Sequence, residues 1–292
     1  MNATKSNSTD VTVITVTYNS AHCIKALANL YSHLENIIFV DNGSEDGTCK
    51  QINQLIPHAK LITIKNNIGF GAANNIALKQ IRTNYAFLLN PDCELNLDQL
   101  KQLLDAADKF PTAAIIAPQL TDLRGQPEIN YRWPSTYWTS KGPGAKGPVC
   151  VGFVCGAAML LRISEFMKTG YFDERFFLYY EDDDLCFRLF QARLPMIIVP
   201  DIQVLHRSRG SVKGKSPWRS EYWRGYHHVQ SKLIYAAKHV SPQAAMHLRK
   251  KLLWQTVLIL PIRIFLFSPK LIARMWGRLR GVIRWTLLKG HS

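Results

Sequence analysis

Five short apolar runs, four closed by a polar residue and the last by Pro118, set the limits on what this chain can fold into. They are residues 11–18 (VTVITVTY), 37–40 (IIFV), 61–64 (LITI), 85–89 (YAFLL) and 114–117 (AIIA). Each is rich in β-branched or bulky apolar residues and too short to be a membrane span, so each predicts a buried strand. Between them lie helical patterns. Ser44 is placed to cap a helix ending near Ile56, and Asn96 with Gln99 makes a capping-box start for a helix through Phe110. Residues 65–78 (KNNIGFGAANNIAL) read as a Gly/Asn loop entering another helix. Strand–helix alternation with short connections predicts an α/β fold, a mostly parallel sheet with helices on both faces. Ligands bind such sheets beyond the carboxyl ends of the strands. The polar residues standing there are Asn19, Asp41, Asn66, Asn67, Asn90 and Asp92.

After Pro118 the character changes. Arg124-Gly125 reads as a turn, and residues 140–150 are rich in Gly and Pro. Residues 151–161 form an apolar strand interrupted by Gly152 and Gly156, and a further strand is expected at 196–199, followed by DIQVLHRSRGSVKG. Before that strand stands FDERFFLYYEDDDLCFRL (172–189), where Glu181, Asp182, Asp183 and Asp184 directly follow aromatic residues. Leu185, Leu189 and Phe190 continue with helical spacing, so the acidic run opens a helix, where the macrodipole favours negative charge. Taken alone, the run is a charged helix start. The alternative is a catalytic base beside an aromatic wall.

Charge separates the two ends of the chain. The net charge is +15, yet residues 222–292 hold thirteen Lys or Arg and no Asp or Glu, which leaves +2 for residues 1–221. The tail also carries arginines Arg274, Arg278 and Arg284 near helical spacing, with Trp276, Leu279, Val282, Ile283 and Leu287 between and beside them. With no carboxylate to pair locally, this basic amphipathic pattern suits an anionic membrane surface contacted through residues 250–292. The competing expectation is a terminal helix pair packed on the domain. Residues 252–268 are apolar but contain Gln255, Thr256, Pro261 and Arg263, too interrupted for a span. The six scattered cysteines include no C-x-x-C pair and read as reduced thiols. The first ten residues lack an apolar segment of signal-peptide type and are expected to be disordered.

Several residues have the chemistry of a nucleotide and metal site. Asp41, at a strand end, can accept hydrogen bonds from a base or ribose, or cap a turn. Asp92 follows Pro91 at another strand end and can ligate a hard cation that bridges a diphosphate, with Glu94 and His206 as further candidates. GFGAAN (69–74) matches a dinucleotide fingerprint only loosely, because Asn74 replaces the final glycine. No second feature supports a nicotinamide cofactor.

These pieces together resemble family 2 glycosyltransferases of the GT-A fold. The matching segments are TVTYNS (15–20), VDNGSEDGT (40–48), NNIGFGAANNIAL (66–78), LLNPDCEL (88–95), CGAAMLLR (155–162), FDERFFLYYEDDDLCFR (172–188) and VLHRSRGS (204–211), in the family's order. The NxGFGxxNN and NPD forms are most similar to the bacterial rhamnosyltransferase-like branch. The resemblance implies a GT-A catalytic domain over 11–211, with a nucleotide-binding half (11–94) and an acceptor half (95–211), and a helical region over 212–292. It implies that Thr17, Asn19 and Asp41 meet the nucleotide, and that Asn67, Gly69 and Asn74 line the nucleotide-sugar pocket. Asn90-Pro91-Asp92 stands where the family carries Asp-x-Asp, leaving Asp92 as the principal ligand of Mg2+ or Mn2+, helped by His206. Glu181-Asp182 matches the family's Glu-Asp pair, in which the Asp is the base. The implied activity is inverting transfer from a nucleotide sugar, dTDP-rhamnose first among donors. The acceptor would be a polyprenyl-diphosphate-linked glycan at the cytoplasmic face of a bacterial inner membrane. Trp133 and Trp138, in a polar Pro-containing stretch, are acceptor-stacking candidates, and Arg132, Arg207 and Arg209 are candidates for pyrophosphate.

Two other classes fit poorly. A nucleotidyltransferase would want a Gly-rich basic loop after the first strand, and TVTYNSAHC has none. A nucleic-acid-binding protein is suggested by the pI of about 9.6. The basic excess, however, lies in an apolar tail, away from the carboxylates of the front half.

Overall fold

The structure, a computed structural model, describes residues 7–129, 131–132, 144–208, 210–212 and 216–286. Trp133, Trp138 and Arg209 therefore lie outside the described residues. In chain order the elements are β1 (Val11–Thr17), α1 (Ala21–Tyr31), β2 (Ile37–Asp41), α2 (Thr48–Leu55), β3 (Lys60–Thr63) and α3 (Phe70–Leu78). Next come β4 (Tyr85–Leu89), β5 (Cys93–Glu94), α4 (Leu97–Lys109), β6 (Ile115–Thr121), β7 (Val149–Val151) and β8 (Ala158–Arg162). The chain continues with α5 (Phe166–Thr169), α6 (Glu181–Gln191), β9 (Met196–His206), α7 (Pro217–His239), α8 (Pro242–Phe265) and α9 (Pro269–Arg284).

The strands form one sheet in the order β3-β2-β1-β4-β8-β6-β9-β5, with β7 also paired to β9. From β3 to β4 every pairing is parallel. Parallel strands are covered on both faces, which is why β2 and β4 read as unbroken apolar runs and are buried throughout. Beyond β4 the sheet is not mostly parallel. β8 runs antiparallel to β4 and β6, and β5 and β7 run antiparallel to β9. A parallel return requires a crossover, usually a helix. The described residues between β6 and β8 contain no helix, so β8 returns in the opposite direction.

Local expectations fared unevenly. The capping box at α4 is present, with Asn96 and Gln99 exchanging side-chain and backbone hydrogen bonds. Ser44 does not cap α2. That helix starts at Thr48 behind Gly47, whose φ of 88° is a left-handed conformation suited to glycine. The expected strand over 151–161 is two strands, β7 and β8, parted by residues 152–157.

The chain divides into two units. The first comprises residues 1–68, 72–172 and 185–213, and the second residues 69–71, 173–184 and 214–292. The sheet belongs to the first. The second has its own core of Phe176, Val229, Leu233, Ile234, Ala245, Leu252, Val282 and Trp285.

Within the second unit, α9 is not a free amphipathic helix. Its Gly277, Gly281 and Val282 face is buried, and glycines let the α9 backbone approach α7 closely. A Cβ on Gly277 would lie 1.9 Å from Tyr222 O, and one on Gly225 would lie 2.0 Å from Arg274 O. Three of its four arginines also find tertiary partners. Arg278 donates to Gln255 (3.2 Å), Arg280 to the Tyr222 hydroxyl (3.1 Å), and Arg274 stands 3.9 Å from Glu221. Gly277→Ala should therefore force the two backbones apart. The expected cost is about 1–3 kcal/mol or more, read as a fall in denaturant midpoint. An unchanged midpoint would contradict this packing.

Candidate functional site

In the first unit, β1 and β2 end side by side, with Thr17 and Asp41 in register. Asp41 is buried. Its carboxylate accepts from Thr17 Oγ1 (3.0 Å), Ser44 N (2.9 Å) and Ser44 Oγ (2.5 Å). Asn19 sits at φ 52° and accepts from Glu45 N (2.9 Å), while its own N–H donates to Ser44 Oγ (2.8 Å). Two loops are thus knitted around one buried carboxylate. The next residue, Asn42, extends the network: it donates to Asn67 Oδ1 (3.0 Å) and accepts from Ile68 N (2.9 Å). Sequence reasoning passed over Asn42, although its position directly after a strand-end Asp is the signal that would have found it.

The glycine and asparagines of residues 66–78 have distinct tasks. Gly69 has φ 97°, and a Cβ there would lie 2.4 Å from Phe177 O, within the second unit. In the first unit, Asn74 is buried, and its neighbour Asn75 clamps a backbone. Asn75 donates to Phe172 O (2.8 Å) and accepts from Phe172 N (3.0 Å).

Asp92 closes the turn after β4. Asn90 shapes that turn through its backbone, donating to Ala157 O (2.8 Å) and accepting from Cys93 N (3.0 Å). Asp92 Oδ2 accepts from Gly210 N and Ser211 N, both at 3.0 Å. Its other oxygen, Oδ1, is buried without a hydrogen-bond partner among the described residues, and His206 Nε2 stands 3.9 Å away. The β5–β9 register produces this meeting, because Cys93 pairs with His206. A buried orphan carboxylate oxygen would be costly to leave unsatisfied. One oxygen and one imidazole nitrogen facing each other fit a hard divalent cation, which keeps other positions for ligand oxygens.

Cys93 belongs to the same cluster by proximity. Burial, reinforced by the Asp92 charge, pushes its thiol well above its ordinary pKa, and a soft sulfur ligand is a poor match for a hard cation. Glu94, proposed from sequence as a further metal residue, does not join the cluster. It is more than a third exposed and pairs with the Arg207 guanidinium.

In the second unit, the acidic run separates into four environments. Tyr179 and Tyr180, immediately before it, both have positive φ (68° and 66°), an uncommon backbone for bulky residues and one found preferentially at functional sites. Glu181 is buried, with Oε2 unpartnered. Burial, then the neighbouring Asp182 charge, raises its carboxyl well above the usual range. Asp182 is partly exposed and accepts from Asp183 N (2.9 Å). Asp183 is partly buried as well. Asp184 is fully buried against Lys238 (2.5 Å) and His239 (2.7 Å), in an ion-pair cluster. Lys238 also reaches Asp173 (2.6 Å). Burial opposes ionisation of Asp173, yet Arg175 and Lys238 hold it well below the usual carboxylate range.

Glu181 carries a pH prediction. Its folded pKa lies above the unfolded value of about 4.3. Its stabilising contribution is therefore complete below that value and is lost as pH rises toward the folded pKa. Glu181→Gln, neutral throughout, should gain stability relative to the parent as pH rises through that window. The slope would be at most about 1.4 kcal/mol per pH unit. Parallel stability–pH curves for the two proteins would refute the raised pKa.

Residues 12–165 match the sequence profile of glycosyl transferase family 2. The chain belongs to this family. Among relatives of this family 2 enzyme is the N-acetylglucosaminyl-diphospho-decaprenol L-rhamnosyltransferase of Mycobacterium tuberculosis. It is 30% identical over 242 residues, covering 70% of this chain and 78% of the relative. The rhamnosyltransferase WbbL of Escherichia coli is 27% identical, covering 62% of this chain and 77% of the relative. The fold is also that of a mannosyltransferase from Pyrobaculum calidifontis, solved with GDP-mannose and Mn2+. The match has a TM-score of 0.53 at 16% identity, covering 94% of this chain and 86% of the other. The enzyme is accordingly a glycosyltransferase with a mixed sheet and flanking helices.

Proposed function

We propose that this family 2 enzyme is an inverting, metal-assisted transferase that moves rhamnose from dTDP-rhamnose to a polyprenyl-diphosphate-linked glycan. The observation that carries the metal-assisted part is the buried, unpartnered Asp92 Oδ1 opposite His206 Nε2. A divalent cation held there would offset charge on the departing nucleoside diphosphate. Thr17, Asn19, Asp41, Asn67 and Asn74 form the nucleotide-sugar side of the site, with Gly69 shaping its loop and Asn90 its turn. Asp182 accepts the proton of the acceptor hydroxyl as that oxygen bonds the anomeric carbon and the bond to diphosphate breaks. Glu181 is its buried partner. One base and a direct displacement invert the anomeric carbon. The relatives' activities support rhamnose and a lipid-linked acceptor. UDP-galactose and UDP-GlcNAc are the alternative donors.

The experiment is a donor panel: nucleotide sugars with Mn2+ or Mg2+, read by thermal stabilisation and by hydrolysis. dTDP-rhamnose should give the largest shift, and a larger shift from another donor reassigns the sugar.

Peripheral attachment to the cytoplasmic face of a membrane belongs to the same reading. No helix among the described residues is long and apolar enough to cross a membrane. The support is the exposed end of α8 and the turn after it. Trp254, Leu258, Phe265 and Phe267 are 66%, 66%, 81% and 87% exposed in a tail without acidic residues. Removing residues 250–292 would strip Leu252, Val282 and Trp285 from the core of the second unit. Point changes are therefore the sharper test. Phe265→Ser with Phe267→Ser should release the protein from vesicles containing anionic lipid while its melting temperature holds. Undiminished sedimentation would overturn attachment through this turn.

A further inference from the structure

We propose that Glu128 is a positioning residue for the Asp92–His206 site: it fixes which imidazole nitrogen of His206 carries the proton. The proposal rests on the reading of that pair as a cation site. Glu128 Oε2 lies 3.0 Å from His206 Nδ1, the nitrogen on the far side of the ring from Asp92. An ionised carboxylate only accepts, so Nδ1 must be the donor. The Nε2 lone pair is then directed to the side where Asp92 Oδ1 stands 3.9 Å away. Carboxylate–imidazole–metal relays of this kind orient the ring and raise the basicity of the ligating nitrogen.

The carboxylate is itself held. Ser208 Oγ donates to Glu128 Oε1 (2.9 Å), so both oxygens are engaged. The same hydroxyl is 3.2 Å from His206 Nδ1. If it donated there instead, the opposite tautomer would result. A charged acceptor makes the stronger hydrogen bond, and that directs the Ser208 proton to Glu128. The backbone is fixed as well: Glu128 N donates to Leu120 O (2.7 Å) and Gln119 Nε2 donates to Glu128 O (2.9 Å). β6 thereby places a loop carboxylate behind a ligand that ends β9. Glu128 lies in QPEIN, which carries no metal-site spacing of its own.

Two measurements on the full chain test the inference. The first is the nitrogen-15 spectrum of His206 in the metal-free protein. Wild type should show protonated Nδ1 and unprotonated Nε2, and Glu128→Gln, whose amide can donate to Nδ1, should lose that preference. The second is Mn2+ titration by electron paramagnetic resonance. Glu128→Gln should weaken binding by about 10–100-fold, and Glu128→Asp should recover part of the loss. Ser208→Ala should keep the Nδ1–H tautomer. An unchanged tautomer in Glu128→Gln, or Mn2+ affinity within about threefold of wild type, would overturn the role. If wild type took up no Mn2+, the cation site would fall, and the spectrum alone would still decide the Glu128 contact.

Discussion

Asp182→Asn should lower sugar transfer about 10²–10⁴-fold, the range that a positioned general base contributes. The substitution is nearly isosteric. Asp182 Oδ1 accepts from Asp183 N (2.9 Å), and an asparagine oxygen can keep that bond, so the start of α6 should survive. Donor-induced thermal stabilisation should be unchanged, because the donor side is assigned to Thr17, Asn19, Asp41, Asn67 and Asn74 and not to Asp182. Loss of transfer with retained donor binding is thus the specific signature. Retention of more than about a tenth of the activity would remove Asp182 from the role of base. Neighbouring carboxylates serve as controls. Asp184 is enclosed by Lys238 and His239, so its removal should act first on stability. Asp183→Asn should leave both transfer and donor binding close to wild type.

The second large effect is expected at Asp92, whose two oxygens have different tasks. Oδ2 holds Gly210 N and Ser211 N, and Oδ1 is the buried orphan. Asp92→Ala removes both functions. It should abolish the Mn2+-dependent thermal shift with nucleoside diphosphate and also loosen the loop at 210–211. Each lost backbone hydrogen bond is worth about 0.5–1.5 kcal/mol. Asp92→Asn separates the two tasks. Its amide oxygen can still accept from both backbone N–H groups, but the charge is gone. The melting temperature without metal should stay near wild type while the Mn2+-dependent shift disappears. A full shift in Asp92→Asn would mean that the cation is held elsewhere.

In the parallel half of the sheet, β2 and β4 were legible because they are buried throughout and are nearly continuously apolar, whereas the edge strand β3 is half-exposed. The capping box at α4 was legible because its two hydrogen bonds join residues only three apart, Asn96 and Gln99. Position alone drew attention to Asp41 and Asp92, since both stand at strand ends. Failures occurred where a partner came from far along the chain. Ser44 looked like a helix cap, but its hydroxyl accepts instead from Asn19 N, 25 residues earlier in the chain. Glu94 looked like a ligand, but it pairs with Arg207, just past the end of the adjoining β9. The α9 arginines looked unpaired because Glu221, Gln255 and Tyr222 lie on α7 and α8.

By itself, then, the sequence determined the strand–helix alternation, the charge asymmetry, the acidic helix start and the family. Each is a property of composition or of neighbours within a few residues. Only the tertiary structure decided that the sheet is mixed and that Asp184 is buried in an ion-pair cluster. It alone brought His206 to Asp92 and Glu128 to His206. The physical reason is the same in each case: strand register and helix packing bring together side chains that local pattern leaves unrelated, and burial then determines which carboxylate is paired, protonated or left open.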